Sequence, residues 1–156
     1  MPEGGCVLVS DHDSYWDGVV ATALDPRIVP VVSRKWRTIR PVGWFLEAYG
    51  VLWTGEDTVA RATAVVGEGG VVWIAPFAFP RGGVRLPAHT GAAHICIRGE
   101  VPLVPVALEG LGRSVRPHWR RGPVLAAIGA PMSPASREDA RGFTTRFESV
   151  LRSSDA

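Results

Sequence analysis

A histidine and an aspartate close to the amino end of the sequence have the types and spacing of an acid–base pair. His12 and Asp17 are separated by four residues and follow an apolar run at residues 6–9. A neutral imidazole with a pKa near the operating pH can remove a proton from a hydroxyl. A carboxylate on the other ring nitrogen would fix the tautomer and stabilise the imidazolium. The pair predicts His12 as a general base oriented by Asp17.

The two side chains can meet only if the chain changes direction between them. On one continuous helix, residues five apart point about 140° away from each other. We expect a buried strand over residues 5–10, a polar turn over 10–14 and a helix over about 15–24. This arrangement places His12 in the turn and Asp17 in the first helical turn. The helix would also offer free N–H groups to an oxyanion or a phosphate.

The rest of the chain alternates strand-like and helix-like segments. The further predicted strands are 28–33, 51–54, 71–75, 103–108 and 124–128, and the helices are 42–50, 58–68, 91–98 and a last one from Ser133 or Ser136 to Leu151. Asp57 is expected to cap the helix that begins at Thr58. Such alternation requires crossover connections, so it predicts an α/β fold with a mostly parallel central sheet and helices on both faces.

The composition indicates a globular protein. The chain has 156 residues, of which 46% are hydrophobic and 21% charged, and this length suits one domain with one core. We expect a single domain over residues 1–156 with a frayed tail at 152–156. The net charge is +2, and the positive charges are almost all arginine, because Lys35 is the single lysine. Arginine favours phosphate and carboxylate, which indicates an anionic lipid or a phosphorylated carrier as partner, with codon bias as an equal alternative.

Several classes of protein are disfavoured by the sequence. Cys6 and Cys96 lie in apolar segments and do not suggest a disulfide framework, and no signal peptide is evident. The longest apolar stretch, residues 71–80, is too short to span a bilayer, so membrane contact is expected to be peripheral. A nucleic-acid partner is not expected, because the chain has neither a strongly basic balance nor a known binding module.

Metal and serine-hydrolase chemistry are also not expected. Four potential zinc ligands match no standard spacing; they are His89, His94, Cys96 and His118. The sequence has no Gly-x-Ser-x-Gly motif. The glycine-rich stretch at 67–70 precedes a predicted strand, so it is interpreted as a helix-to-strand turn and not as a nucleotide loop.

Four short segments follow one another between residues 5 and 110. They are the stretch from Asp11 to Asp17, Pro41-Val-Gly-Trp-Phe-Leu-Glu-Ala-Tyr-Gly50, Phe79-Pro-Arg-Gly82 with Gly91-Ala-Ala, and Val101-Pro-Leu-Val-Pro-Val-Ala107. Together they resemble the four blocks of the glycerolipid (lysophosphatidate-type) acyltransferase family. The first block is usually Asn-His-x-Ser-x-x-Asp, so His12, Ser14 and Asp17 match and Asp11 replaces the asparagine.

The resemblance implies a fold, a reaction and a site. His12 would deprotonate a lipid hydroxyl, which attacks the thioester of acyl-CoA or of an acyl-carrier protein, and Asp17 would orient His12. The acceptor would be a lysophospholipid or a related lipid, and no metal or redox cofactor is implied. The residues implied in substrate binding are Ser14, Arg81, Gly82, Gly83 and Arg85.

The third block departs from the family pattern. Arg81 replaces a glutamate, Gly83 replaces a threonine, and the expected arginine falls on Val84, one residue before Arg85. An alternative register would place residues 75–77 in this block, and Glu56 stands near the place of the second block's terminal arginine. These changes favour an unusual acceptor, such as a sugar- or terpenoid-linked hydroxyl, or a degenerate domain that binds lipid or acyl carrier without turnover. A separate alternative to acyl transfer is an acyl thioesterase.

Membrane contact is expected at the surface only. Eleven residues precede His12, so the docking segment that family members carry there is expected to be missing or to lie upstream. The remaining candidates are Trp36-Arg37 with Trp44-Phe45, and residues 116–121, where aromatic and arginine side chains could sit at headgroup level. A core tryptophan beside solvated charges is the alternative. We expect a cytoplasmic protein. Its membrane contact is expected to be peripheral, at the inner face of the plasma membrane.

Overall fold

The computed structural model describes residues 2–11, 17–77, 86–109 and 124–153. Within these ranges, six strands form one sheet in the order β3-β2-β4-β1-β5-β6. The strands are β1 Cys6–Ser10, β2 Ile28–Val32, β3 Leu52–Trp53, β4 Val71–Ile74, β5 Leu103–Glu109 and β6 Leu125–Ile128. All neighbouring pairs are parallel except β5 and β6. The predicted mostly parallel α/β sheet is confirmed.

The described helices connect the strands and flank the sheet. They are α1 Asp17–Thr22, α2 Val42–Tyr49, α3 Thr58–Gly67, α4 Gly91–Gly99 and α5 Ala140–Ser153, with a 3₁₀ helix at Arg34–Thr38. The helix predicted to reach residue 24 ends at Thr22, and α5 runs two residues past the predicted end at Leu151. Residues 154–156 of the expected tail lie outside the described part of the chain.

The central strand β1 is buried along its whole length and supplies both layers of the core. One layer contains Leu8 with Ala21 of α1, and the other contains Val9 with Phe143 and Phe147 of α5. The two phenylalanine rings meet edge to face, with centroids 5.9 Å apart. Successive strand residues point to opposite faces, so the unbroken apolar run in β1 matches a sheet covered by helices on both sides.

Two helix starts differ from the sequence prediction. Asp57 makes no side-chain cap bond to α3; instead the backbone N–H of Gly55 donates to the Thr58 hydroxyl at 2.6 Å. The last helix begins at Ala140 and not at Ser133 or Ser136. Asp139 accepts a hydrogen bond from the N–H of Gly142 at 2.7 Å, the geometry of an N-cap, whereas Arg137 has a φ of 70° that interrupts any earlier helix.

Parallel strands bring their carboxyl ends to one edge of the sheet. Ser10, Val32 and Ile74 end β1, β2 and β4 in this way, and the three strands are neighbours. We call this side of the sheet the carboxyl edge. Ligands of open α/β sheets bind outside the carboxyl ends of the strands, so the segments that follow these three residues are where a site is expected.

Candidate functional site

The predicted acidic partner, Asp17, lies at the carboxyl edge as the first residue of α1. Its side chain is 1% exposed. The sequence placed Asp17 in the first turn of a helix that follows β1, and the described part of that helix, α1, begins at Asp17. His12 and Ser14 lie outside the described residues, so the pairing of His12 with Asp17 stays a prediction. The described neighbours of that segment are Asp11, which is half-buried, and Asp17 itself.

A tryptophan on the adjacent strand contacts both sides of the predicted pair. Trp73 lies on β4, and its Nε1 donates a buried hydrogen bond of 3.0 Å to the Oγ of Ser10, two residues before His12. A methyl group placed on Gly18 would come within 3.2 Å of the Trp73 ring, so α1 packs directly on the indole beside Asp17. Trp73 thus connects the end of β1 to the helix that carries the carboxylate.

Sequence reasoning missed Trp73 and Ser10 as part of the site. Their link depends on the register that pairs Leu8 with Trp73, which a single sequence does not reveal. One signal was present: residues 6, 8 and 10 of β1 alternate onto the same face, and a serine at the third of these positions needs a hydrogen-bond partner once it is buried.

The predicted phosphate-binding residues of the third block lie outside the described part of the chain. They are Arg81, Gly82, Gly83 and Arg85. The described residues on either side meet, because the backbone N–H of His89 donates to the carbonyl of Pro76 at 2.9 Å. Phe77 is buried in the core. The described residues that flank this segment, Pro76 and His89, therefore lie together beyond the carboxyl end of β4, the strand next to β1.

The end of the third block and the fourth block form the start of α4 and of β5, two elements that contact β1. Gly91 begins α4, and Ala92 and Ala93 are buried against the sheet, as the small-residue helix start predicted. The fourth block forms the start of β5, with Pro102 just before the strand. Pro105 lies inside β5, where it pairs with Val9 of β1.

The two cysteines are buried free thiols. Burial raises the pKa of Cys96 to about 12, and it also raises the pKa of Cys6. A protonated, buried thiol is neither a nucleophile nor a metal ligand near neutral pH. Among the described residues, no group of three or more His, Cys, Asp or Glu side chains is placed to hold a metal ion.

A groove of about 530 Å³ lies away from the predicted site. It is bounded by the carboxyl end of α4, including Cys96 and Glu100, and by residues 133–138 before α5. Helix α4 runs back from the carboxyl edge, so this groove opens at the opposite edge of the sheet. We assign it no part in the predicted chemistry.

The two sequence candidates for membrane contact fare differently. Trp44 and Phe45 of α2 are exposed and Trp36 is half-buried, so the alternative of a core tryptophan is wrong for Trp44. The second candidate, residues 116–121, lies outside the described ranges. In the described part of the chain, none of the helices combines the length and apolar character that crossing a bilayer requires.

Known proteins share this sequence pattern and fold. The Acyltransferase family profile matches residues 1–109. An alignment 115 positions long, which covers 65% of this chain and 40% of the relative, shows 30% identity to human 1-acyl-sn-glycerol-3-phosphate acyltransferase beta. The structure resembles the 1-acyl-sn-glycerophosphate (LPA) acyltransferase PlsC of Thermotoga maritima with a TM-score of 0.77 at 18% identity, over 99% of this chain and 66% of the other.

This chain thus spans about two fifths of the human relative and two thirds of the bacterial one. The matched region contains all four blocks that resemble glycerolipid acyltransferases, from His12 to Ala107. The family predicted from those blocks is confirmed. The chain belongs to the acyltransferase family.

Proposed function

We propose that this protein transfers a fatty acyl group from a thioester to the hydroxyl of a lysophospholipid or a related lipid. The observation that carries the proposal is the buried carboxylate of Asp17, which opens α1 at the carboxyl edge just after the segment containing His12. Membership of the acyltransferase family supports the reaction class. The name of the human relative, a 1-acyl-sn-glycerol-3-phosphate acyltransferase, supports a lysophospholipid acceptor.

In the proposed reaction, His12 removes the proton of the acceptor hydroxyl while the hydroxyl oxygen attacks the thioester carbonyl. The new C–O bond forms, the C–S bond breaks, and the departing thiolate takes the proton back from the imidazolium. Asp17 holds the imidazole in the productive tautomer and stabilises its positive charge. Because Asp17 is shielded from water, this charge–charge contact is screened less than it would be at the surface.

The substrates are proposed from the chemistry of the chain and of its relatives. Acyl-CoA or an acyl-carrier protein would donate the acyl group, and Ser14 would bind substrate. The phosphate of the acceptor would contact the segment containing Arg81, Gly82, Gly83 and Arg85. Arginine and glycine suit this task, since one supplies charge and the other lets the backbone approach an anion. No metal or redox cofactor takes part in the proposed steps.

A transfer assay tests the proposal. Radiolabelled acyl-CoA and acyl-carrier protein are each supplied with lysophosphatidate, other lysophospholipids or no acceptor, and the labelled products are separated. We expect label in the acceptor lipid and a loss of about 10²–10⁴-fold in kcat for His12→Ala. Release of free fatty acid with no labelled lipid would indicate a thioesterase instead. Unchanged ligand affinity in both proteins, with no turnover in either, would indicate a binding domain.

We also propose that the protein acts in the cytoplasm as a peripheral protein at the inner face of the plasma membrane. A lipid acceptor is presented at a bilayer surface, which makes surface contact part of the reaction. Cell fractionation tests this location: the protein should be released from membranes by high salt or by alkaline carbonate. Retention that only detergent reverses would contradict a peripheral attachment.

A further inference from the structure

The outward side of α2 exposes three large aromatic side chains. Trp44, Phe45 and Tyr49 are 61%, 59% and 46% exposed. The rings of Phe45 and Tyr49 stack with centroids 6.0 Å apart. Phe45 and Tyr49, four residues apart, lie on the same side of the helix, and Trp44 points about 100° away from Phe45 around the helix axis. We call these three residues the aromatic face. Contiguous apolar surface of this kind usually marks a binding surface.

The opposite side of α2 packs closely against the 3₁₀ helix, so the aromatic face is directed outward. A methyl group on Gly43 would lie 2.3 Å from the carbonyl oxygen of Arg37, which means that α2 rests directly on the 3₁₀ helix. The N–H of Gly43 donates to the carbonyl of Ile39 at 2.8 Å. Arg37 also forms a salt bridge of 2.9 Å with Glu47 on the same side of α2. These contacts with the 3₁₀ helix and Ile39 hold the aromatic face toward the outside.

Four exposed cations in the segment before α2 form a cationic border beside the aromatic face, and Arg37 among them is paired with Glu47. Arg34, Lys35, Arg37 and Arg40 are all exposed, and Glu47 is the single acidic residue between positions 33 and 50. The guanidinium of Arg40 lies 5.1 Å above the centre of the Trp44 ring. An apolar ring and a cation are thus directed outward together. The complementary surface must offer both an apolar layer and negative charge.

This surface lies at the same edge as the predicted chemistry. The 3₁₀ helix begins at Arg34, two residues after β2 ends at Val32. Strand β2 is parallel to β4, and β4 is parallel to β1. The aromatic face and its cationic border therefore extend from the carboxyl edge, one strand beyond β4 from the end of β1. A lipid held at this surface would lie on the same edge of the sheet as Ser10, the end of β1, from which the chain continues to His12.

We propose that the aromatic face and its cationic border dock the protein on an anionic phospholipid bilayer. Tryptophan and tyrosine rings sit at the level of the headgroups, where one side of the ring is apolar and the other is wet. Arginine and lysine pair with lipid phosphates and are attracted by the negative surface potential. The inference deepens the proposed function and rests on its lipid acceptor, but not on the residues that perform the transfer.

Charge favours a bilayer over a second copy of the chain. In a symmetric dimer the same patch meets itself. Four cations and one carboxylate would then face four cations and one carboxylate, and the net repulsion would oppose close packing of the rings. An anionic membrane has the opposite charge and an apolar layer directly beneath it. The apolar layer complements the aromatic face, and the negative charge complements the cationic border.

Vesicle sedimentation with the full chain and no thioester tests the inference. We expect binding to vesicles of phosphatidylcholine with phosphatidylglycerol, and much weaker binding to phosphatidylcholine alone. Trp44→Ser combined with Phe45→Ser should weaken binding about tenfold or more, since two rings that the bilayer would bury are lost. Arg34→Gln combined with Arg40→Gln should weaken binding about fivefold for each cation removed. Added salt should weaken it further.

Matched substitutions elsewhere serve as controls. Leu125 and Ile128 are 57% and 48% exposed on β6, at the far end of the sheet from β2. Leu125→Ser with Ile128→Ser, and Arg141→Gln on α5, should leave vesicle binding unchanged. Thermal melting shows that each variant is folded. If the aromatic variant does not fold, the arginine pair, which is exposed, still provides the test.

Three outcomes would overturn the inference: no binding of the unmodified chain to anionic vesicles, equal binding by the aromatic variant, or equal effects of the β6 controls. Sedimentation equilibrium adds a further check. A dimer that the aromatic variant dissociates, with vesicle binding intact, would assign the face to a second copy. His12→Ala should bind vesicles normally. Failure of acyl transfer would therefore contradict only the proposed function. Failure of vesicle binding would contradict only the proposed docking surface.

Discussion

The Nε1 of Trp73 donates a hydrogen bond of 3.0 Å to the Oγ of Ser10, and both side chains are buried. The bond joins β4 to the last residue of β1, from which the chain continues to His12. The same indole supports α1 at Gly18, beside Asp17. One side chain therefore helps to set the distance between the strand end and the helix that hold the predicted catalytic pair.

A double-mutant cycle on this bond should show coupling. Trp73→Phe leaves the buried Ser10 hydroxyl without this donor, which should cost about 1–3 kcal/mol of stability beyond the loss of ring contacts. Ser10→Ala in that background should cost less than Ser10→Ala alone, by about 0.5–1.5 kcal/mol. Urea unfolding of the four proteins measures the difference. Additive effects would mean that the bond contributes nothing measurable.

Asp17→Asn should lower kcat by about 10²–10⁴-fold and leave the KM of the acceptor nearly unchanged. Asparagine is nearly isosteric with aspartate, so the fold is kept, but its amide cannot stabilise the imidazolium. Asp11→Asn is the matched control, because it installs the residue that the family usually has before the histidine. We expect near-normal activity from this control. Full activity of Asp17→Asn would remove the carboxylate from the mechanism.

The effects of His12→Ala and Asp17→Asn should not add. Residues that act as one catalytic unit lose most of the rate with the first substitution. The double variant should therefore have a kcat within about threefold of His12→Ala. Steady-state kinetics with labelled acyl donor measures the three rates. A double variant slower by the product of the two single effects would indicate that Asp17 acts independently of His12.

Gly43→Ala should destabilise the protein, whereas Gly67→Ala should stabilise it. The new methyl at position 43 would meet the Arg37 carbonyl at 2.3 Å and force α2 away, at a cost of about 1–3 kcal/mol. Gly67 also lies in a helix but has no heavy atom within 4 Å of the added methyl. Alanine there should gain about 0.5–1 kcal/mol from helix propensity. Equal changes in urea midpoint would contradict the close packing at Gly43.

Much of the sheet was predictable because its strands are continuous apolar runs. The predicted bounds of β1, β2 and β4 each differ from the observed ones by a single residue. The pattern did not reveal the 3₁₀ helix Arg34–Thr38, which has no apolar period and no side-chain cap. It also did not reveal the direction of β6, since periodicity identifies a strand but not the sense in which it pairs.

The candidate site was predictable only in part. The position of Asp17 at a helix start followed from the break that the five-residue spacing requires. Support by Trp73 did not, because it depends on the register between β1 and β4. The exposure of Trp44 was also hidden, since an apolar helix pattern is compatible with either side facing the core. Contacts between distant strands and the orientation of α2 are tertiary properties, and local sequence does not determine them.

Stability should fall at alkaline pH because of Cys96. Its thiol has a pKa of about 12 in the folded protein but ionises near 9.0 when unfolded. Between these values the unfolded chain binds fewer protons, so rising pH favours unfolding. The stabilisation is complete below pH 9 and declines by about 1.4 kcal/mol per pH unit as pH rises through the window. The urea midpoint should change less between about pH 8 and about pH 10 in Cys96→Ala than in the unmodified chain.

Stability should also fall at acidic pH because of a charge pair at the opposite edge of the sheet. Arg27 forms two hydrogen bonds with the Asp25 carboxylate, at 2.8 and 3.1 Å. The same guanidinium donates to the carbonyls of Pro2 and Glu3 at 3.1 and 3.0 Å. Arg27 therefore connects residues 2–3, before β1, to Asp25 in the turn before β2.

The hydrogen bonds that Asp25 accepts from the side chain and the backbone N–H of Arg27 hold the pKa of its carboxyl below the ordinary value of 3.8. A carboxyl with a lowered folded-state pKa contributes stability that is complete above the unfolded value and is lost as pH falls through the folded one. Asp25→Asn keeps the side chain's size but removes its titration. The difference in urea midpoint between the unmodified chain and this variant should be largest near neutral pH and shrink below about pH 4. A difference that stays constant with pH would show that the Asp25 charge does not stabilise the fold.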